Sequence, residues 1–388
     1  MNTNELIEAE DKYFINTFTR QPIVLDHGSG VKVWDKDGNE YTDMFAGIAV
    51  NSLGHSHPKL VNALQGQIEK LIHISNIYYN EPAIEYAKKL LPLTQFDRLF
   101  YANSGAEANE GAIKLALKYT GKSEIITAKD SFHGRTLLTL AATGHDEYKE
   151  PYLKNLPQGF IEVPYNDIEA IKEAISDETA AIMLEPIQGE GGVNVPSQEY
   201  FDEIAKICEE NDILLILDEV QTGFGRCGTL FAHEIFDIKA DIMTVAKGIG
   251  GGVPMGAFLA TEKVASGFVP GDHGTTFGGS PLVCAAANAV LDTIFDENLL
   301  ENSKEVGAYF KEQLNGLKEK HDNIAEVRGY GLMIGVELTQ NGAEYVDKLR
   351  EMGFLINCTA GNVLRFVPPL IITKKEIDEF IDALDKAL

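Results

Sequence analysis

The chain has 388 residues, 44% of them hydrophobic and 24% charged, with a formal net charge of −26. That length exceeds one ordinary core and calls for a large unit plus smaller ones; no apolar run of about 18 residues marks a membrane span, and no basic-then-apolar start marks a secretory signal. So acidic a balance excludes nucleic acid and anionic membrane as partners, and four scattered cysteines, without metal-ligand or disulfide-framework spacing, fit a reducing cytosol.

Residues 31–45 read as a β-hairpin turning at Asp37-Gly38. From residue 57 to 285, short apolar strands alternate with amphipathic helices. Strands are expected at Arg98–Tyr101, Glu124–Thr127, Ala180–Leu184, Ile213–Leu217, Ile242–Val245 and Gly256–Ala260. Helices are expected near 58–72, 82–91, 106–119, 167–175 and 198–211. Such alternation predicts a mostly parallel sheet covered on both faces, with ligands outside the carboxyl ends of its strands. After residue 285 the pattern changes to a helix pair over 282–320, then strand-like Ala325–Val327, Leu332–Glu337, Gly353–Asn357 and Val363–Phe366. A closing helix starts at the capping box Thr373-Lys-Lys-Glu376. The expected division is 1–55 as an N-terminal segment packing with a small domain, 56–285 as the large α/β domain, and 286–388 as the small α+β domain.

Within the alternating region several segments carry chemistry. Asn103-Ser104-Gly105-Ala106-Glu107 follows a strand and opens a helix, so its outward N–H groups and helix dipole offer a phosphate seat. The same residues also read as a turn capped by Ser104. In Phe132-His133-Gly134-Arg135 the aromatic can stack on a flat ring and Arg135 can clamp a carboxylate with its two-pronged donor. The plain alternative is a core Phe and a solvated Arg, with His133 a structural hydrogen-bonding residue. Glu190, in Glu185-Pro-Ile-Gln-Gly-Glu190, and Arg365, in Val363-Leu-Arg365-Phe, are opposite charges in apolar or kinked settings. They read as a working pair or as an ordinary interdomain salt bridge.

Asp218 ends a wholly apolar strand, where its charge is costly without a cationic partner. Lys247 follows another apolar strand and is succeeded by Gly248 and Gly250-Gly251-Gly252, where backbone can approach a flat ligand. An amine and a carboxylate on the ends of two buried strands match what pyridoxal 5'-phosphate (PLP) needs: a covalent anchor for its aldehyde and a partner for its protonated ring nitrogen. A buried structural Asp–Arg pair is the competing account of Asp218. Gln221 can reach a ring oxygen, while Glu219 stays ambiguous. His273-Gly-Thr275-Thr276-Phe-Gly-Gly279 suits an anion and also passes as a loop. No metal site is expected.

Taken in order, these segments resemble the class III (subgroup II) PLP-dependent aminotransferases of fold type I, from Leu53-Gly-His-Ser-His-Pro58 to Arg365-Phe-Val-Pro-Pro369. The resemblance implies an α/β fold like that of aspartate aminotransferase, with a large, mostly parallel sheet of the seven-stranded type and a smaller α+β domain. It implies that Lys247 anchors the cofactor and shuttles the proton, and that Asp218 holds the ring nitrogen. Phe132 stacks on the ring, Val220 and Gln221 lie beside it, and Ser104, Gly105 and Ala106 hold the phosphate. Thr276 reaches the phosphate in a neighbouring subunit, which makes the enzyme a homodimer with sites at the subunit interface. Arg135 and Thr275 bind a substrate carboxylate, and Glu190 masks Arg365 until 2-oxoglutarate competes for it. Ser56 and Ser280 depart from the family's frequent Cys and Asn, both away from the reacting groups.

Ser75-Asn-Ile-Tyr-Tyr79, Phe132-His-Gly-Arg-Thr136, Glu185-Pro-Ile-Gln-Gly-Glu190, Leu217-Asp-Glu-Val-Gln-Thr-Gly-Phe-Gly-Arg226 and Gly274-Thr-Thr-Phe-Gly-Gly279 look most like the branch acting on N2-acetyl-L-ornithine. Phe18 points the same way: ornithine-specific members use a tyrosine near there to hold a free α-amino group. The expected reaction passes the terminal amine to 2-oxoglutarate, giving N-acetyl-L-glutamate 5-semialdehyde and L-glutamate in the cytoplasm, as a step of arginine biosynthesis. The alternatives are transfer from ornithine, 4-aminobutyrate or succinyl-diaminopimelate, or a PLP decarboxylase or aminomutase on the same scaffold.

Overall fold

A computed structural model describes all residues, 1–388. Its centre is a seven-stranded sheet in the order β4-β10-β9-β8-β7-β5-β6. These strands are Arg98–Ala102 (β4), Glu124–Ala128 (β5), Phe160–Val163 (β6), Thr179–Leu184 (β7), Leu214–Asp218 (β8), Ile242–Val245 (β9) and Gly256–Ala260 (β10). All neighbours pair in parallel except β10, which runs antiparallel to both β4 and β9. Alternation along the strands explains how both faces are covered. Leu215, Leu217, Met243 and Val245 point into the main core. Leu214, Ile216 and Ile242 point the other way, onto Ala112, Ile113, Leu115 and Ala116 of the helix Gly105–Thr120.

The N-terminal strands Leu25–Ser29 (β1), Lys32–Asp35 (β2) and Glu40–Asp43 (β3) form a second sheet. The C-terminal region supplies a third, in the order β11-β12-β15-β14, from Ile324–Tyr330 (β11), Met333–Leu338 (β12), Asn357–Thr359 (β14) and Val363–Phe366 (β15). One expectation is corrected here. Gly353–Asn357 is not a single strand: Phe354–Leu355 (β13) pairs in parallel with β3, whereas β14 pairs antiparallel with β15. The chain changes sheets at the buried Ile356, and an apolar run says nothing about which neighbour will complete its ladder.

The helix pair after the large sheet is Pro281–Asp296 and Leu299–Lys318, and the last helix, Lys374–Ala387, begins at the Thr373/Glu376 capping box. Unforeseen elements include β1, β6, the helices Leu137–Ala142 and Ala343–Glu351, and an exposed helix, Thr3–Tyr13, opened by a reciprocal Asn2/Glu5 capping box. No helix is long and apolar enough to cross a membrane.

Candidate active site

A cavity of about 490 Å³ opens at the carboxyl ends of the parallel strands, the position expected for a ligand in an α/β sheet. Its walls come from the turns that follow β4, β5, β7, β8 and β9. Ser104, Gly105, Ala106, Phe132, Arg135, Glu190, Asp218, Val220, Gln221 and Lys247 all line it.

Asp218 and Lys247 share one wall because β8 and β9 are hydrogen-bonded neighbours, with Asp218 in register with Thr244. Asp218 is buried, and its Oδ2 accepts hydrogen bonds from Asn109 (2.8 Å) and from His133 Nδ1 (2.7 Å). Its Oδ1 accepts from the Val220 N–H at 2.9 Å. Burial works against a charge on His133, but the bond to Asp218 and its negative charge outweigh this and raise the imidazole pKa. The competing account, a buried Asp–Arg pair, does not hold: the protein partners are a histidine and an amide, and the carboxylate keeps acceptor capacity toward the cavity. Lys247 has a φ of 48°, in the left-handed region that non-glycine residues rarely adopt. Its amine makes no ion pair, and burial lowers its pKa while the nearby Glu190 charge pulls the other way.

Across the cavity, Gly105 is the first residue of the helix Gly105–Thr120, capped by Ser104 Oγ accepting from the Glu107 N–H. A Cβ at Gly105 would lie 2.8 Å from Val220 Cγ1, so only glycine lets this helix start so close to the β8 turn. The Phe132 and Gly189 loops are tied together by Glu185, whose carboxylate accepts from both backbone N–H groups at 3.0 Å. Burial raises the Glu185 pKa to about 7.

Glu190 and Arg365 meet at 2.6 Å. Arg365, on β15, does not itself line the cavity; it lies behind Glu190 and also donates to Gln221 Oε1 at 3.1 Å. Burial opposes the Glu190 charge, yet Arg365 outweighs it and, aided by Lys247, brings the pKa down to about 2. Gln221 spans both partners, its Nε2 lying 3.3 Å from Glu190. Thr275 and Thr276 are not brought into this cavity. They line a separate surface pocket with Asn103 and His273, where Asn103 Nδ2 donates to Thr275 Oγ1 at 3.2 Å.

Glu219, left open by its sequence context, is a structural plug: the Ala232 and His233 N–H groups and Thr222 all donate to it, away from the cavity. Asn109 is the functional neighbour that went unnoticed. Its signal is a polar side chain on the buried face of a helix otherwise lined by Ala, Gly, Ile and Leu, which demands a partner.

The profile of the family described as aminotransferase class III matches residues 14–388. The chain belongs to the class III aminotransferases. An acetylornithine aminotransferase of Methanothermobacter thermautotrophicus is 56% identical over 384 residues, covering 99% of this chain and 98% of the relative. The solved acetylornithine aminotransferase of Elizabethkingia anophelis superposes with a TM-score of 0.89 at 36% identity, over 100% of this chain and 99% of the other. An ornithine aminotransferase from Toxoplasma gondii, with PLP in partial occupancy at its active site, gives 0.95 at 33% identity, over 99% and 94% of the two chains. Class III aminotransferases depend on PLP. This cavity suits the group: a buried carboxylate and an unpaired amine face it from one wall, a helix N-terminus with Gly105 at its tip faces it from another, and Phe132 borders it.

Proposed function

We propose that this class III aminotransferase moves the terminal amino group of N2-acetyl-L-ornithine to 2-oxoglutarate, giving N-acetyl-L-glutamate 5-semialdehyde and L-glutamate. The observation that carries this reading is the Glu190–Arg365 pair beside Lys247, opposite an Arg135 that has no acidic partner. One arginine is open to any substrate carboxylate; the other is masked unless a second carboxylate arrives. That asymmetry suits a donor reacting through its far amine and an acceptor reacting next to its α-carboxylate. The acetylated donor is favoured by the name and 56% identity of the methanogen relative. The fold likeness to ornithine aminotransferase makes free ornithine the second reading.

PLP, when bound, supplies an aldehyde that takes up the amino group and a ring that accepts the electrons released at the reacting carbon. In our assignment Lys247 Nζ would hold the cofactor and would carry the proton between the amine-bearing substrate carbon and the cofactor carbon. Burial keeps that amine easier to deprotonate than a surface lysine, which a proton shuttle requires. Asp218, fixed by His133 and Asn109, holds the ring nitrogen in its charged form. Ser104, Gly105 and Ala106 hold the phosphate, Phe132 and Val220 enclose the ring, and Gln221 lies near its oxygen. Glu190 covers Arg365 during the first half-reaction and yields it during the second.

We assign 56–285 as the cofactor-holding unit and 1–55 with 286–388 as the unit carrying Arg365. We also propose a homodimer in which Thr276 serves the neighbouring subunit's phosphate and Thr275 its substrate. Their position outside their own cavity supports this, as do the exposed Ile77, Tyr78, Tyr79 and Phe277, apolar surface that needs cover. Free thiols at all four cysteines fit a cytoplasmic setting.

A panel of amine donors with 2-oxoglutarate, read as glutamate formed, tests the substrate. Acetylornithine is expected to lead ornithine; a clear preference for ornithine overturns the choice. A fully active monomer in sedimentation would remove the shared site.

A further inference from the structure

The two arginines of the site are held in opposite ways. Arg365 is buried, its Nε donating to Asn357 and its Nη1 to Glu190 and Gln221. Arg135 is on the cavity wall, on a loop, and makes neither a hydrogen bond nor an ion pair within the chain. A long side chain so free would lose much rotamer entropy on binding a carboxylate.

What holds it instead is an aromatic face. The Arg135 guanidinium carbon lies 3.4 Å from the centroid of the Tyr148 ring and 5.6 Å from that of Phe132. Tyr148 is itself confined. It sits in the helical turn Asp146–Lys149, with its ring 5.1 Å from His145 at 34° and 6.4 Å from Phe132 at 85°. The adjacent Lys149 is anchored to Glu162 on β6.

A guanidinium stacked on a ring face keeps its five N–H donors, which all lie in its plane, free to point elsewhere. An aspartate or glutamate in the same place would restrict the arginine too, but it would occupy the prongs that a substrate needs, as Glu190 does at Arg365. We infer that Tyr148 is a positioning residue: its π face holds Arg135 flat and unmasked, so that this arginine stays open to a substrate carboxylate in both half-reactions while Arg365 is gated. The inference rests on the reading of Arg135 as a substrate-carboxylate site.

The test uses holoenzyme variants Tyr148→Phe, Tyr148→Leu and Tyr148→Met, with Arg135→Ala alongside. Losing the face is expected to raise KM for 2-oxoglutarate roughly three- to thirty-fold, the range of a partly desolvated cation–π contact. The value of kcat and the visible absorption band of the cofactor should stay close to wild type. Tyr148→Phe, which keeps the face, should stay within about twofold of wild type in KM. Calorimetric binding of glutarate, an unreactive dicarboxylate, should weaken by the same factor in the Leu and Met variants. Wild-type KM and glutarate affinity in both ringless variants would overturn the proposal, as would a Tyr148→Phe loss equal to theirs, which would assign the effect to the hydroxyl. If Arg135→Ala left KM and glutarate binding unchanged, the reading of Arg135 would fail and the inference with it. A loss in Arg135→Ala without one in Tyr148→Leu and Tyr148→Met sinks the inference alone.

Discussion

The wall formed by β8 and β9 and the Glu190–Arg365 pair both put opposite charges around one cavity, yet they are built on different plans. In the wall, Asp218 and Lys247 follow strands that are immediate neighbours in one sheet. Asp218 is buried and accepts three hydrogen bonds, so it has no alternative position. In the pair, the partners are 175 residues apart and come from a loop and a different sheet. The Glu190 side chain is 25% exposed while Arg365 is 1% exposed. A carboxylate on a loop, with water at hand, can leave; an arginine packed in a strand cannot. Saturated strand ends hold a charge from several sides, whereas a loop carboxylate with one strong partner is held mainly from one.

The sharpest way to break the wall is Lys247→Ala. It should lower turnover by at least about four orders of magnitude, since anchor and proton carrier vanish together; single-turnover assays check this, and substantial residual rate would remove the assignment. Asp218→Asn keeps the shape but not the charge. A loss on the order of 10²–10³ in kcat is expected, as for other misplaced or missing electrostatic partners, together with weaker cofactor retention on dialysis followed by absorbance.

Glu190→Gln separates the two plans, because it should leave the wall's chemistry in place and unmask Arg365. KM for 2-oxoglutarate is expected to fall and KM for the amine donor to rise, their ratio moving roughly tenfold; equal shifts in both would argue for a purely structural pair. The same variant has a pH signature. Glu190 titrates near 4.5 when unfolded and at about 2 when folded, so its charge stabilises the fold above pH 4.5, by about 3 kcal/mol. The advantage shrinks as pH falls from 4.5 toward 2. Urea unfolding should therefore show wild type ahead of Glu190→Gln at neutral pH, with the gap narrowing below pH 4.5.

Much of the wall was legible because its logic is local. Apolar runs announced β8 and β9, and a charged residue at the end of such a run is costly enough to need a purpose. The turn at Ser104-Gly105-Ala106 was visible for the same reason, a strand leading into a capped helix. The identity of Asp218's partners was not legible. His133 and Asn109 reach it from 85 and 109 residues away, and nothing near Asp218 encodes either. The stack of Tyr148 on Arg135 gave no sign either, since a tyrosine in a polar loop has no pattern around it. The run Gly353–Asn357 looked like one strand because strand propensity carries no record of which sheet supplies the next ladder.

From its residues alone, the chain specified the kinds of element, the acidic surface, the amine and carboxylate at strand ends, and the presence of two opposite charges in apolar settings. All of these follow from short-range periodicity and from the solvation cost of individual groups. Tertiary structure alone decided that Arg365 stands behind Glu190, that Thr275 and Thr276 lie outside the cavity, and that one arginine is masked while the other lies bare on an aromatic ring. Those outcomes depend on distances between segments far apart in the chain, which loop closure and packing set and no local pattern records.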